Sequence, residues 1–129
     1  MLAVDTNVIV RYLTGDHPNQ SAIARKLVDT TQVFVCKTVM LETEWVLRST
    51  YGFAVRQVCA KLRAFAGLPT VSVENAAEVA DALSLCETGL DFADALHLQS
   101  AAGCEALITF DREFAKRTKR AKTAEVRAL

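Results

Sequence analysis

The sequence lacks several features that would each indicate a particular class of protein. No Cys-x-x-Cys pair is present, so neither a zinc knuckle nor a thioredoxin-like redox motif is predicted. No Gly-x-Gly-x-x-Gly or P-loop pattern supports nucleotide binding. No apolar run is long enough to cross a bilayer, and no charged leader precedes an apolar segment. We therefore expect a soluble cytoplasmic protein without a membrane partner. Its four cysteines are expected to pack as small apolar side chains: Cys36, Cys59, Cys86 and Cys104.

The chain also lacks net charge, since 15 basic residues balance 15 acidic residues. No global field therefore favours a nucleic acid or a membrane surface. The distribution is uneven, because the stretch from Arg112 to Arg127 holds seven basic and two acidic residues. This basic run has two interpretations: it contacts the phosphates of a nucleic acid, or it is a solvated helix face.

Apolar segments typical of strands alternate with segments of helical periodicity. The length of 129 residues indicates a single domain over 1–129, and no linker, repeat or low-complexity segment interrupts it. Alternating strands and helices favour a mostly parallel sheet covered by helices on both faces. Strands are predicted at 2–5, 33–36, 68–73, 106–110 and 123–126, and helices at 7–13, 18–29, 38–51, 54–66, 74–87, 91–102 and 111–116.

Two of the predicted strands end on an aspartate. Asp5 follows a short strand that we expect to be buried, and Asp111 follows the strand at 106–110. Each is explained equally well as the cap of the helix it precedes, although Thr6 is an alternative cap for the first helix. In a parallel sheet, both aspartates would emerge at the carboxyl edge, where open α/β folds bind ligands.

The helix at 38–51 carries two glutamates on different faces. Glu42 and Glu44 lie about 160° apart around the helix axis, so they cannot serve one site. Glu44 is four residues before Arg48, the spacing of a surface ion pair. Glu42 is predicted to face inward, where a carboxylate needs a partner or a metal ion. The face assigned to Glu42 is mainly apolar and comprises Val39, Trp45, Val46 and Ser49.

Asp91 and Asp94 share one face of the helix at 91–102. Asp91 is explained as the helix cap, whereas Asp94 lies among apolar residues without an evident partner. Four carboxylates at one edge would repel each other, at about 1 kcal/mol per pair in water and about 4 kcal/mol at intermediate dielectric. A hard divalent cation would compensate this repulsion, and oxygen ligands favour Mg²⁺ or Mn²⁺.

Four sequence blocks in order resemble the PIN-domain nucleases, and among them the VapC toxins of toxin–antitoxin pairs. The blocks are Val-Asp-Thr-Asn at 4–7, Leu-Glu-Thr-Glu-Trp-Val-Leu-Arg at 41–48, Asp-Phe-Ala-Asp-Ala-Leu-His-Leu at 91–98 and Leu-Ile-Thr-Phe-Asp-Arg-Glu-Phe at 107–114. The resemblance implies a PIN-like three-layer α/β/α sandwich with a mostly parallel central sheet. It also implies a metal-dependent endoribonuclease that uses Mg²⁺ or Mn²⁺, dimerises and is inhibited by a VapB-like antitoxin.

The resemblance assigns roles to residues at the matching positions. The catalytic and metal-binding acids would be Asp5, Glu42, Asp94 and Asp111. Supporting residues around them would be Thr6, Asn7, Asp91 and Thr109. We expect Arg11, Lys37 and Arg112 to hold the RNA backbone, and Asp94 or Glu42 to orient the attacking water.

Two rival functions use the same residues. A PIN-fold module could bind a partner or a nucleic acid without catalysis, although such a module has no need of four repelling carboxylates. An aspartyl phosphatase would require an aspartate where Asn7 stands. The helices between 54 and 87 are predicted to offer a dimer or antitoxin groove at Val58, Leu62 and Phe65, although core packing explains these residues nearly as well.

Overall fold

The structure is a computed structural model that describes residues 1–121 and 123–129. Within these residues the chain forms five strands and seven helices in alternating order, and every strand pairing is parallel. The predicted mostly parallel α/β fold is therefore confirmed. The chain divides into two compact units, residues Met1–Ala76 and Ala77–Leu129, which are described separately below.

The first unit contains a three-stranded parallel sheet in the order β1-β2-β3. Helix α1 packs against α2 and α3, and α3 packs against α4. Gly15 ends α1 in the left-handed conformation, with a φ of 65°, which a residue with a side chain adopts less readily. The elements of this unit are β1 Leu2–Ala3, α1 Thr6–Thr14, α2 Pro18–Thr30, β2 Val33–Val35, α3 Lys37–Ser49, α4 Val55–Ala66 and β3 Val71–Val73.

The core of the first unit includes the residues that the sequence placed in a dimer or antitoxin groove. The side chains of Val58 and Leu62 are fully buried, and Phe65 is 1% exposed. Phe65 also packs edge-on against Tyr12 of α1, with ring centroids 5.3 Å apart. The predicted groove on α4 is therefore wrong, because this apolar face is already covered by the unit's own helices.

The second unit contains a two-stranded parallel sheet formed by β4 and β5. Helix α7 connects the two strands and packs against both of them. Helix α5 begins at the boundary between the units, at Ala76. The elements are α5 Ala76–Glu87, α6 Phe92–Ser100, β4 Ala106–Thr109, α7 Arg112–Thr118 and β5 Glu125–Ala128.

The predictions for two strands and one cysteine differ from the structure. Strand β1 is exposed rather than buried, with Leu2 53% exposed, because it is an edge strand paired only with β2. The last strand covers Glu125–Ala128 instead of 123–126, since its position is set by parallel pairing with β4. Cys104 is exposed, whereas Cys59 and Cys86 pack in the core as predicted. Among the described residues, no helix has the length and apolar character needed to cross a membrane.

Candidate active site

Asp5 lies just beyond the carboxyl end of β1 and caps the helix that follows. Its Oδ1 atom accepts a hydrogen bond of 3.3 Å from the backbone N–H of Val8. The side chain is exposed, so its second carboxylate oxygen remains accessible. Asp5 is therefore the cap of α1, the role that the sequence also allowed for Thr6. A cap uses one oxygen of the carboxylate, which leaves the second free to bind a ligand.

Thr6 links the first helix to Glu42 on α3. Thr6 is buried, and its hydroxyl donates a hydrogen bond to Oε1 of Glu42 across 36 positions of the sequence. The bond fixes the carboxylate of Glu42 relative to the start of α1, where Asp5 stands. No local pattern in the sequence identifies this pair, because the contact depends on the packing of α1 against α3.

The orientation predicted for the two glutamates of α3 is inverted. Glu44 is buried, with 2% exposure, and Glu42 is exposed. The predicted ion pair of Glu44 with Arg48 is confirmed, at 2.8 Å from Oε2 to Nε, but the carboxylate lies inside the unit rather than at its surface. The buried face of α3 consists of Met40, Thr43, Glu44 and Leu47. Glu42 therefore faces solvent, where a metal ion or a substrate has access.

Two further polar groups lie where the strands of the first sheet end. Lys37 begins α3 directly after β2, and its backbone N–H donates to Oε1 of Glu74 at 2.8 Å. Glu74 follows β3 and so supplies a cap to α3, whose own N-cap residue Cys36 makes no side-chain cap bond. The sequence placed Glu74 inside a helix and missed this contact. In a parallel sheet these positions share one edge with Asp5.

Arg11 belongs to a polar network rather than to an open basic surface. Its Nη1 atom contacts Asp16 at 3.2 Å and the hydroxyl of Tyr51 at 3.1 Å, and its Nε donates to Gln20 at 2.8 Å. Asp16 also accepts from Tyr51 at 2.7 Å and from Thr14 at 2.8 Å. The hydrogen bond from Tyr51, followed by that from Thr14, lowers the pKa of Asp16 below its usual value. The network therefore ties α1 and α2 to the end of α3.

A shallow groove of about 290 Å³ runs between α1 and α2. Asn7, two residues after Asp5, lies on its wall, and the exposed side chain of Ile23 lies on the α2 side. The side chain of Ile23 is 69% exposed. A second cavity, of about 500 Å³, lies between α7 and β5 and is lined by residues such as Ala115, Thr118 and Val126 rather than by the predicted acids.

In the second unit, Asp91 and Asp94 begin helix α6. Asp91 caps the helix, with Oδ1 accepting from the backbone N–H of Asp94 at 3.3 Å, as predicted. Asp94 is half-buried in the first turn. Partial burial raises the pKa of Asp94, and repulsion from Asp91 and Asp111 raises it further, whereas His97 lowers it. The environment of Asp94 therefore disfavours its charged, deprotonated form.

Asp111 follows β4 and caps α7. Its Oδ1 atom accepts from the backbone N–H of Phe114 at 3.1 Å, and its own N–H donates to the hydroxyl oxygen of Thr109 at 3.0 Å. Thr109 thus supports the turn that carries Asp111. Arg112 is the exposed first residue of α7. The basic run continues along this helix, and its Lys122 lies outside the described residues.

The structure thus shows two partial groupings of acids. In the first unit, Asp5 stands next to Thr6, which holds Glu42. In the second unit, Asp94 experiences the charges of Asp91 and Asp111. Among residues 1–121 and 123–129, no group of three or more His, Cys, Asp and Glu side chains could hold a metal ion. The oxygen donors present are of the type that Mg²⁺ and Mn²⁺ prefer, so their chemistry fits these ions.

Comparison with known proteins identifies the family. The chain matches the protein-family model described as PIN domain over residues 2–120, and this match includes every predicted site residue. Comparison with curated proteins gives no match. PIN domains are usually nucleases, and the parallel strands and seven helices described above are consistent with their α/β/α fold. Because the match covers most of the 129 residues, the chain belongs to the PIN-domain family.

Proposed function

We propose that the protein is a Mg²⁺- or Mn²⁺-dependent endoribonuclease and the toxin of a VapBC toxin–antitoxin pair. The observation that carries this proposal is the position of half-buried Asp94 beside Asp91 and Asp111, where burial first, and then repulsion from these two carboxylates, raises its pKa. Uncompensated like charges cost folding free energy, so their presence favours a site that binds a cation. Membership of a family composed mainly of nucleases supports the same conclusion.

Four acids of the chain would carry the reaction: Asp5, Glu42, Asp94 and Asp111. When bound, a divalent cation lowers the pKa of a coordinated water and neutralises charge on the phosphate. Thr6 holds Glu42 in one orientation through its hydrogen bond. Asp94, which is half-buried in the first turn of α6, or Glu42 would orient the attacking water.

Basic residues would hold the RNA backbone without reading its sequence. Arg112 is exposed next to Asp111 and suits this role. Lys37 is half-buried at the start of α3, on the same helix as Glu42. Arg11 is a weaker candidate, because two of its nitrogens already bind Asp16, Tyr51 and Gln20.

The test is RNA cleavage by purified full-length protein free of antitoxin. The wild type should cut RNA in Mg²⁺ or Mn²⁺ and stop in EDTA, and Asp5→Asn and Asp111→Asn should lose activity. Asparagine caps helices as well as aspartate does, so both variants should keep their helix starts and remain folded. The matched controls are Asp29→Asn and Asp81→Asn, which change exposed aspartates of the two units outside the predicted site. Cleavage of RNA by Asp5→Asn at the wild-type rate would contradict the assignment of Asp5 as a catalytic residue.

A folded protein that binds RNA but never cuts it would favour the alternative of an inert PIN module. The discriminating measurement is therefore paired: binding of RNA and cleavage of RNA are followed on the same sample. Saturable binding of RNA without cleavage in either metal would contradict the proposal that the protein is a ribonuclease. Cleavage that disappears in Asp5→Asn, with binding retained, rejects the inert module.

We propose that the antitoxin occupies the groove between α1 and α2. The groove begins at Asn7, close to Asp5, and Ile23 offers it an exposed apolar side chain. A segment bound there would reach the region of Asp5 and block it. The test is co-expression with a short open reading frame found immediately upstream of the gene. Ile23→Asp should weaken inhibition by that partner and leave RNA cleavage unchanged; unchanged inhibition would exclude this groove.

We also infer that the chain is a single PIN domain that forms a homodimer. The family match runs through both compact units, which supports one domain. The dimer follows from the resemblance to VapC toxins, and its surface cannot be the buried residues Val58, Leu62 and Phe65. Light scattering after size-exclusion chromatography tests the dimer, and a clean monomer at micromolar concentration would contradict it.

A further inference from the structure

Helix α3 presents an exposed stripe that contains one large aromatic residue. The exposed positions recur with helical spacing, and the buried positions of the same helix lie on the other side. The stripe consists of Thr38, Glu42, Trp45 and Ser49. Trp45 is 56% exposed, although tryptophan is one of the most apolar side chains of the chain.

In the part of the chain that the structure describes, the ring of Trp45 makes no aromatic pair and no cation–π contact. Among the described residues, the aromatic pairs are Tyr12 with Phe65 and Tyr51 with Phe53, and the cation–π contact joins Lys61 to Phe53. The backbone carbonyl of Trp45 accepts a 2.6 Å hydrogen bond from the hydroxyl of Ser49, and this bond does not involve the ring. One face or edge of the indole is therefore open to a flat ligand.

Trp45 lies one helical turn from Glu42. Residues three positions apart on a helix are neighbours, with Cβ atoms about 5–6 Å apart. Thr6 fixes the carboxylate of Glu42 by a hydrogen bond, so the position of Glu42 relative to the helix is defined. The exposed indole and the anchored acid are thus presented together by one rigid element to the same solvent-facing side.

We propose that Trp45 stacks on a nucleobase of single-stranded RNA whose phosphate lies near Glu42. This proposal rests on the proposed ribonuclease function. Every base has a π face, so stacking on an aromatic side chain holds an unpaired strand without selecting its sequence. A nearly neutral protein gains little from long-range attraction to RNA, which increases the value of a stacking contact beside the acids. Trp45 is thus a substrate-positioning residue.

The single tryptophan of the chain makes the test direct, because intrinsic indole fluorescence reports on Trp45 alone. A short unstructured RNA is titrated into antitoxin-free protein in EDTA, where cleavage is blocked. We expect saturable quenching that follows binding. The same ribose–phosphate backbone without bases should bind more weakly and leave the emission unchanged. Bound RNA with unaltered emission would overturn the stacking.

Substitutions separate stacking from structural effects. Trp45→Ala should weaken RNA binding about tenfold, measured by anisotropy of labelled RNA, and raise KM more than it lowers kcat. Trp45→Phe keeps an aromatic face and should recover most of the affinity. The matched control is Val55→Ala, which shortens another exposed apolar side chain of the first unit. Wild-type affinity and KM in Trp45→Ala would overturn the proposal.

The remaining outcomes separate a failure of the stacking proposal from a failure of the proposed ribonuclease function. Quenching by RNA without cleavage in Mg²⁺ or Mn²⁺ would retain stacking and reject the nuclease, whereas cleavage without quenching would retain the nuclease and reject stacking. A change of emission on dilution of the protein alone, with no further change on adding RNA, would show that a second copy covers Trp45 and would overturn the RNA contact.

Discussion

At the scale of single residues, the hydroxyl of Thr6 is the group that fixes Glu42. Thr6→Val keeps the shape of the side chain but removes the donor, so the carboxylate of Glu42 becomes free to rotate. Loss of a residue that orients a metal ligand typically reduces activity about tenfold to a hundredfold. We expect that reduction in the rate of RNA cleavage, with little change in melting temperature.

The control for Thr6→Val is Thr43→Val. Thr43 is also buried and also donates a hydroxyl hydrogen bond, at 2.7 Å, but to the backbone carbonyl of Val39 rather than to a predicted site acid. Thr6→Ser should restore cleavage because it keeps the donor. Equal rates for Thr6→Val and the wild type would show that Glu42 does not need this support.

Asp94 should contribute to function at the expense of stability. Its pKa is raised by burial and by Asp91 and Asp111, so its charge is unfavourable in the folded state at neutral pH. A raised folded pKa gives stability at low pH that is lost as the pH rises through it. Asp94→Asn should therefore abolish cleavage and raise stability, by less than about 1 kcal/mol because solvent screens a half-buried carboxylate.

Thermal melting of Asp94→Asn in EDTA, at neutral pH and at a pH below 4, checks this prediction. The melting temperature of Asp94→Asn should exceed that of the wild type at neutral pH. This difference should become smaller in acid, where Asp94 of the wild type becomes protonated. A variant that melts lower than the wild type at neutral pH would contradict the argument.

The residue that the sequence placed least well was Glu42, and helix α3 explains why. Its apolar residues occur in two runs of adjacent positions, 39–41 and 45–47, and each run spans about 200° around the helix. Both faces are therefore partly apolar, and periodicity does not decide which one is buried. Glu42 was singled out by its predicted inward face and by the resemblance, and the first of these is wrong, because Glu42 is exposed and is held by Thr6.

At the scale of elements, Tyr51 connects the end of α3 with the turn between α1 and α2. Its hydroxyl donates to Asp16 and lowers the pKa of that carboxyl below the usual value of 3.8. A lowered pKa gives stability that is present above 3.8 and is lost as the pH falls through the folded value. Tyr51→Phe should therefore lower the melting temperature at neutral pH, and the difference should narrow below pH 3.8.

Melting curves of Tyr51→Phe between neutral and acidic pH measure this effect. Tyr12→Phe is the matched control, since it removes a hydroxyl from a ring that packs on Phe65 and does not contact Asp16. A difference between Tyr51→Phe and the wild type that stays constant across the pH range would exclude Asp16 as its origin.

Most elements were predictable because their determinants are local. The predicted helix caps Asp91 and Asp111 are confirmed, and so is Pro18 at the start of α2. The last strand was displaced because its register is set by pairing Ala106 with Glu125, a contact between distant positions. The apolar residues of β1 also led to the prediction of a buried strand. In the structure β1 is exposed, since it lies at the edge of its sheet and pairs with one strand.

At the scale of the whole molecule, the net charge is balanced, so the basic run from Arg112 to Arg127 would be the main source of salt-dependent binding of the proposed RNA substrate. Each phosphate contact to single-stranded nucleic acid contributes about −0.7 to the slope of log K against log salt. If the basic run contacts phosphates, the α7 variant Lys116→Gln, Arg120→Gln, which changes one residue of α7 and one just after it, should weaken RNA binding and make the slope less steep by about 1.4. Both side chains are exposed, so stability should be unchanged.

Binding isotherms at several salt concentrations test this prediction, in EDTA to prevent cleavage. The comparison variant is Arg25→Gln, Lys26→Gln, which removes two exposed charges from α2 and keeps the same net charge as the α7 variant. Equal slopes for the wild type and the α7 variant would favour the alternative of a solvated helix face.

The predicted convergence of four acids depends on the tertiary fold of the entire chain, so no stretch of sequence can establish it. Binding of a cation to the folded state provides a test at this scale, because a ligand of the folded form stabilises it by RT ln(1 + [L]/Kd). With Mg²⁺ at about ten times Kd, the gain in unfolding free energy is about 1.4 kcal/mol, or about 5 °C in melting temperature for a domain of this size. Melting with Mg²⁺ or Mn²⁺ and with EDTA measures it.

Asp5→Asn and Asp94→Asn, each alone, should reduce this metal-induced rise in melting temperature, whereas Asp29→Asn should retain it. The separate variants matter because Asp5 belongs to the first unit and Asp94 to the second. Loss of the shift in both would show that one cation depends on acids from the two halves of the sequence. A shift that disappears in only one variant would confine the cation to that unit's acids. No shift at millimolar metal, in a protein that still cuts RNA in EDTA, would reject metal dependence altogether.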